Sequence, residues 1–203
     1  MVTNFVTGIL PNSLRVSGNI YAIRSDFRIW MRFSEIMDSS DSEGRKIIQM
    51  LQACYPKIPE DLPGAIEKMI WFYRCGEAEE QEEEKKERYQ RRSSKEPAFS
   101  FSQDAPYIYA AFKEQYGIDL TGDTQLHWWK FMALFEALNE ETMIRKVMYY
   151  RKASTSGVSK ERRAFLNEMK KLYRIRGTSV KRMTLEERDK QWKDYVKNRC
   201  GAS

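Results

Sequence analysis

The sequence predicts a mainly α fold, a bundle of about seven or eight helices with a small N-terminal β-hairpin on its flank. Three observations carry that prediction. Apolar residues recur at the helical period through most of the chain from Asp26 to Tyr173. Residues with side chains suited to capping stand just before these stretches, among them Asp61, Asp104, Asn139 and Ser159. Two short β-branched runs flank a Gly-containing turn near the start, Leu14-Arg15-Val16 and Ile20-Tyr21-Ala22-Ile23 around Ser17-Gly18-Asn19. Two strands alone are marginal in water, so the hairpin must lie on helices.

The helices follow in order. Asp26 opens the first, with Ile29, Trp30, Phe33, Ile36 and Met37 on one face, and the polar run from Asp38 to Gly44 breaks it. The next carries Ile47, Ile48, Leu51 and Cys54 and ends before Pro56, since the residue preceding a proline is pushed out of helical geometry. Asp61 caps the third, with Pro63 in its first turn and Ile66, Met69, Ile70 and Tyr73 as its stripe up to Gly76. Trp71 and Phe72 fall off that stripe and are read as further packing or a second contact surface. Asp104 then caps a helix bearing Ile108, Ala111, Phe112 and Gln115, which Gly117 stops. A helix opening near Asp123 or Thr124 runs through Leu126, Trp128, Trp129, Phe131, Met132, Leu134, Phe135 and Leu138. It is apolar nearly all round, so most of it must be covered, and it is too short to span a bilayer.

Asn139 caps the following helix, with Glu140 and Glu141 at its start, Arg151 and Lys152 at its end, and Ile144, Val147 and Met148 inward. Ser159 starts another, striped by Phe165, Leu166, Met169, Leu172 and Tyr173 and ending at Gly177. A capping box, Thr184-Leu185-Glu186-Glu187, opens a last basic helix that carries Trp192, Tyr195 and Val196. The chain thus divides into a hairpin and helices at 1–76, a charged linker at 77–96, central and late helices at 97–177 packing with 1–76 as one domain, and a basic C-terminal helix or tail at 178–203. The linker is almost wholly polar and reads as a solvated tether with a fraying helical start.

The chain of 203 residues is 41% hydrophobic, 13% aromatic and 32% charged, which supports a core within a water-soluble surface. No apolar run is long enough for a membrane span, and the start lacks the pattern of a secretion signal. Three cysteines without metal-ligand spacing, Cys54, Cys75 and Cys200, fit a reduced chain without disulfides. The net charge of +6 hides an asymmetry. From Met143 onward there are 18 Lys and Arg against 6 Asp and Glu, while the rest of the chain has 17 against 23. Such a split suits an anionic partner at one end or the chain's own acidic segment.

Catalytic machinery is not legible. His127 is the only histidine and has no Ser or Cys beside it, so it reads as structural and no catalytic residue is assigned. Asp119 and Asp123 flank Thr121-Gly122 in a turn, where Asp bonds its own backbone, and no third ligand is spaced to make a metal site. No phosphate-binding glycine loop occurs, so no cofactor is expected. Cys75 sits at a helix C-terminus, where the dipole opposes a thiolate, and reads as inert. Arg162, Arg163, Lys170, Lys171 and Arg174 are candidate contacts to an anionic partner, with Tyr149, Tyr150, Tyr173 and Trp192 interleaved. Solvation of the helices is favoured over nucleic acid, because no recognised nucleic-acid motif accompanies them.

The segment DAPYIYAAFKEQYGIDL followed by LHWWKFMALFEAL, with DFRIWMRF at Asp26, IPEDLPGAIEKMIWFYRCG at Ile58 and MYYRKAS at Met148, resembles the bacteriophage gp-fifteen family over roughly Val16 to Ile175. These small phage proteins are encoded in the siphophage tail-assembly region. The resemblance implies a non-enzymatic, chaperone-like tail-assembly protein that binds the tape measure protein and keeps it soluble while the tail tube protein polymerises around it. It implies action in the host cytoplasm and absence from the mature virion, and self-association into a homo-oligomer is left open. Two other readings stand: a minor structural component of the tail, and a nucleic-acid-binding accessory protein that uses the basic end. A groove of aromatic and Met side chains would suit varied helical targets. Trp128, Phe131, Met132 and Phe135 are its candidate lining, against the alternative that they are ordinary core.

Overall fold

The computed structural model describes residues 5–76 and 97–176. The charged linker at 77–96, Gly177 and the basic segment at 178–203 with its capping box lie outside the described residues. Seven helices and one two-stranded antiparallel sheet are present among the described residues, so the fold is mainly α with an N-terminal hairpin. The chain forms two compact units, one holding the residues up to 76 with Leu126–Met132, the other residues 97–125 and 133–176.

In the first unit, β1 (Ser13–Val16) pairs with β2 (Asn19–Ala22), Ser13 opposite Ala22 and Val16 opposite Asn19. Ser17 and Gly18 make the turn with φ of 46° and 84°. Two positive φ values match the right-handed twist of the strands, and this two-residue turn leaves Asn19 as the first residue of β2. Leu14 and Val16 point inward, whereas Ile20 is exposed. The hairpin is tied to α3 (Leu62–Tyr73) through one carboxylate. Asp61 accepts the Ser17 hydroxyl and also caps α3 by accepting from the Gly64 N–H at 3.0 Å. These bonds, the Ser17 one first, hold its carboxyl below the ordinary range.

α1 (Phe27–Asp38) starts where Asp26 accepts the Arg28 N–H at 2.9 Å. Phe27, Trp30, Phe33 and Met37 form its buried face, while Ile29 and Ile36 are half-buried at its margins. α2 (Glu43–Cys54) buries Ile47, Met50, Leu51 and Cys54, the i, i+3, i+4, i+7 set. Ile48, expected on this face, is exposed, because Met50 completes the spacing from Ile47 on the side that faces α1 and α3. The carbonyls that end α2 are capped by Arg24, whose Nη1 donates to Gln52, Ala53 and Tyr55 at 2.8, 2.9 and 3.0 Å. α3 buries Ala65, Ile66, Met69 and Phe72. Phe72 is therefore core and not a second contact surface, since Trp30 stacks on it at 4.6 Å between centroids. α3 closes on Cys75 and Gly76, with φ of 56° and 82°. A Cβ on Gly76 would lie 2.8 Å from the Trp129 ring and 3.2 Å from that of Trp71, so both the φ and the space require glycine here.

In the second unit, α4 (Ala105–Tyr116) buries Ile108, Ala111 and Phe112 and ends at Gly117, φ 69°, with its N–H returned to Lys113 and that of Ile118 to Phe112. Gln115 is exposed and is not part of the stripe; its amide donates to Ala137 and accepts from the Asn139 N–H. α5 (Trp128–Glu136) begins later than the start expected near Asp123 or Thr124. The reason is local: the backbone at 127 forms a β-bridge with Asp26, in which Phe27 donates to Leu126 at 2.9 Å and Trp128 to Ser25 at 2.7 Å. The division between the two units falls inside α5, after Met132. Thr142, not Asn139, precedes α6 (Met143–Lys152); Asn139 instead closes the turn before it, accepting from Glu141 on its side chain and from Thr142 on its backbone. α7 (Lys160–Leu172) is capped by Ser159, which accepts from Arg162, and stops short of Gly177 at Leu172.

The Asp104 side chain does not cap α4. Its carboxylate is taken by Arg151, with Nη1–Oδ2 at 2.6 Å and Nη2–Oδ1 at 2.8 Å, and by the Ser100 N–H at 2.8 Å. Arg151 completes the Ile144, Val147, Met148 stripe of α6 and so is carried inward. The pair is 5% and 2% exposed. The same guanidinium donates through Nε to the Tyr173 carbonyl at 2.7 Å and through Nη1 to that of Ala98 at 3.0 Å. A buried pair of this kind barely offsets its desolvation, but removing one member strands the other. Arg151→Leu is expected to cost about 3–5 kcal/mol in urea unfolding, and Asp104→Leu in the same chain to recover part of that loss. Additive losses would show that the two side chains are not coupled.

Candidate functional site

His127 stands just before α5. Its Nδ1 accepts the Trp129 N–H at 3.1 Å, and its Nε2 lies 3.0 Å from the Pro11 carbonyl. A carbonyl only accepts and an amide N–H only donates, so both bonds are met by the neutral ring with its proton on Nε2. The ring also packs on Phe72 and edge-on to Trp129. Burial, against the Pro11 bond, holds its pKa below the ordinary value. The residue helps start a helix and holds the segment before the hairpin. Asp119 is similarly occupied: Oδ1 accepts the Thr121 N–H and hydroxyl, and Oδ2 lies near Lys113 Nζ at 3.2 Å and Tyr109. These bonds hold its carboxyl well below the usual range. Among the described residues no group of three or more His, Cys, Asp or Glu could hold a metal ion, and no helix is long and apolar enough to cross a membrane.

The aromatic residues of α5 are not brought together as a surface. Trp128 and Phe131 are 1% and 0% exposed. In the first unit Trp128 stacks on Tyr73 at 5.4 Å and 12°, and Phe131 on Phe27 at 4.9 Å and 10°. The buried indole N–H groups all end on backbone carbonyls: Trp30 on Arg24, Trp128 on Tyr73 and Trp129 on Phe72. Phe135 belongs to the second unit and packs edge-on against Phe99 at 5.0 Å. Met132 is half-buried. The groove expected from Trp128, Phe131, Met132 and Phe135 is thus replaced by core packing, because the flat faces of these rings are already matched within the chain.

Among the described residues, one set of exposed apolar and aromatic side chains lies on α6 and α7. Leu166 is the one side chain of α7 that is buried. Phe165 and Leu172, on the predicted stripe, are 38% and 65% exposed, and Tyr149 of α6 is 52% exposed. Tyr150 meets Tyr149 edge-on at 5.7 Å, meets Phe165 edge-on at 5.9 Å and stacks on Tyr173 at 5.9 Å. Arg162 lies over the Phe165 ring at 5.3 Å and donates to the Tyr149 hydroxyl at 3.2 Å. Arg163, Lys171 and Arg174 are exposed and Lys170 is half-buried. The sequence marked these cations and aromatics; it did not mark that they interlock, which depends on the pairing of α6 with α7.

Two measurements follow from this geometry. Protonating His127 would set an Nδ1–H against the Trp129 N–H. Its folded pKa is depressed, so the unfolded chain takes up the proton first, and stability present above about pH 6.5 is lost as the pH falls. The urea midpoint is expected to drop between pH 7.5 and 5.5, and His127→Gln to flatten that dependence; an unchanged slope in the variant would place the titration elsewhere. Trp128→Ala is expected to cost about 3–5 kcal/mol, as core truncations do, whereas Leu172→Ser changes stability by less than about 0.5 kcal/mol. Equal effects in urea unfolding would contradict the division into core and open surface.

Comparison with known proteins gives one positive result. The description Bacteriophage Gp15 protein matches residues 6–175. No curated protein and no solved structure matches the chain. The match runs from before the hairpin through both units to the end of α7, and with it the chain belongs to the Bacteriophage Gp15 protein family, which marks it as a phage protein of the structural or assembly-related class.

Proposed function

We propose that this chain is a chaperone-like tail-assembly protein that binds the phage tape measure protein and keeps it soluble until the tail tube is built around it. Family membership is the observation that carries the reading. The structure adds physical support. The sole histidine and the Asp119 carboxylate are engaged in holding local structure, and the apolar side chains of Phe165 and Leu172 stay exposed on α7. A tape measure is long and helical, with apolar faces that aggregate when bare. Many copies of a small helical protein, each bound weakly, can cover those faces and leave as tube subunits arrive. On this reading the protein acts by contact and not by catalysis, in the host cytoplasm, and is absent from the finished particle.

The test is co-expression with a tape measure fragment. The soluble yield of the fragment is expected to rise, and the two chains to elute together. Unimproved solubility with no complex would refute the chaperone reading. Recovery of this chain in purified particles at stoichiometric amounts would point instead to a structural tail component.

A further inference from the structure

The hairpin leaves one edge of its sheet with hydrogen bonds to give. In an antiparallel pair, successive residues turn their backbone N–H and C=O alternately toward and away from the partner strand. Val16 faces Asn19 across the turn, and beyond the strand Ile23 donates to the Asn12 carbonyl at 2.9 Å, so Asn19, Tyr21 and Ile23 turn their groups toward β1. Ile20, Ala22 and Arg24 therefore turn theirs outward. The Arg24 N–H is met by the Cys54 carbonyl at 2.8 Å, and its carbonyl by the Trp30 indole N–H. The outward groups of Ile20 and Ala22 make no hydrogen bond among the described residues, and both residues are exposed, Ile20 at 68%.

Backbone groups at two-residue spacing select an extended strand, since a helix uses its own backbone groups internally. Proteins commonly guard such an edge with charge or proline. β2 reads Asn19-Ile20-Tyr21-Ala22 and has neither. The edge is also short, bounded by the Ser17-Gly18 turn on one side and by the occupied Arg24 N–H on the other. Its occupant must be a short, uncharged strand with free groups at the same spacing, and among the described residues β2 itself is such a strand. β1 offers outward groups at Ser13 and Arg15, but pairing two copies there would bring two arginines together on one face. β2 laid antiparallel on β2 of a second copy meets no such conflict. With Tyr21 opposite its own counterpart on the twofold axis, Ile20 lies opposite Ala22 of the second copy, and Ala22 opposite its Ile20. Each of these pairs exchanges N–H and C=O, so every open group on the edge is satisfied. The exposed Ile20 side chain comes to lie beside an alanine, and the half-buried tyrosines meet on the other face.

We propose that the β2 edge, Ile20 and Ala22 with Tyr21 between them, pairs two copies of this chain into a dimer through one continuous sheet, β1-β2 of one copy joined to β2-β1 of the other. The pairing goes beyond the assembly reading and does not rest on it.

Amide exchange followed by NMR on the full chain tests the edge without any substitution. As the concentration is raised to about 1 mM, the Ile20 and Ala22 amides are expected to exchange about tenfold more slowly, while those of Ser13 and Arg15 stay unchanged. Sedimentation over the same range is expected to show monomer passing to dimer. Ile20→Lys puts a charge on the edge, and because that side chain is exposed the variant is expected to fold, which circular dichroism checks. It is expected to raise the dimer dissociation constant about tenfold or more, whereas Ile48→Lys, equally exposed apolar surface on α2, leaves it unchanged. Monomer at every concentration, protection at Ser13 and Arg15 in place of Ile20 and Ala22, or self-association indifferent to Ile20→Lys would overturn the proposal. If the chain dimerises through this edge and no tape measure fragment binds it, the pairing stands and the assembly reading falls. If a fragment binds a chain that stays monomeric throughout, the assembly reading stands and the pairing falls.

Discussion

One buried cation organises the second unit. Arg151 reaches the Asp104 carboxylate, the Ala98 carbonyl and the Tyr173 carbonyl at once, from the inner face of α6. Three otherwise separate stretches thereby share one donor: the segment leading into α4, the helix that carries the arginine, and the residue that caps α7. Hydrophobic contact alone is tolerant of sliding, because apolar surface has no direction. A planar guanidinium is not tolerant, since its five donors leave in fixed directions. Buried apolar residues of the same unit, Ile108, Phe112, Ile144, Val147 and Leu166, supply the burial, and the arginine fixes direction where they do not.

Much of the fold was legible in the sequence. The hairpin and the helices stand where their patterns put them, because periodicity and caps are local signals and these helices obey them. Asp26, Asp61, Gly117 and Ser159 take the roles their residue types suggest. What was not legible was every feature that needs a second element. Asp104 looks like a cap until α6 brings an arginine to it. Ile48 and Met50 lie on opposite flanks of the Ile47, Leu51 and Cys54 stripe, and the neighbouring helices settle which flank is covered. The start of α5 is moved by a bridge to Asp26, far away in the chain.

The candidate site divides along the same line. Trp128, Phe131 and Phe135 are the most conspicuous side chains in the sequence, and they are consumed by the interior. A large ring with one polar edge favours such a place when a backbone carbonyl can take its indole N–H, as Tyr73 does for Trp128 and Phe72 for Trp129. Exposed apolar surface is found instead on a less conspicuous helix, whose stripe has the right spacing and is left open among the described residues. Spacing says that a face exists; only the structure says whether something lies on it.

The placement of Arg151 has a mechanical side. Ala98 lies at the start of the second unit and Tyr173 near its end, and Gln103 and Arg176 are joined there by two further bonds of 2.8 Å. The two termini of this unit are therefore stapled side by side. Tension drawn through the chain from both ends loads the staple before it reaches the helices, so the unit resists being pulled open from its ends and yields only once the guanidinium lets go.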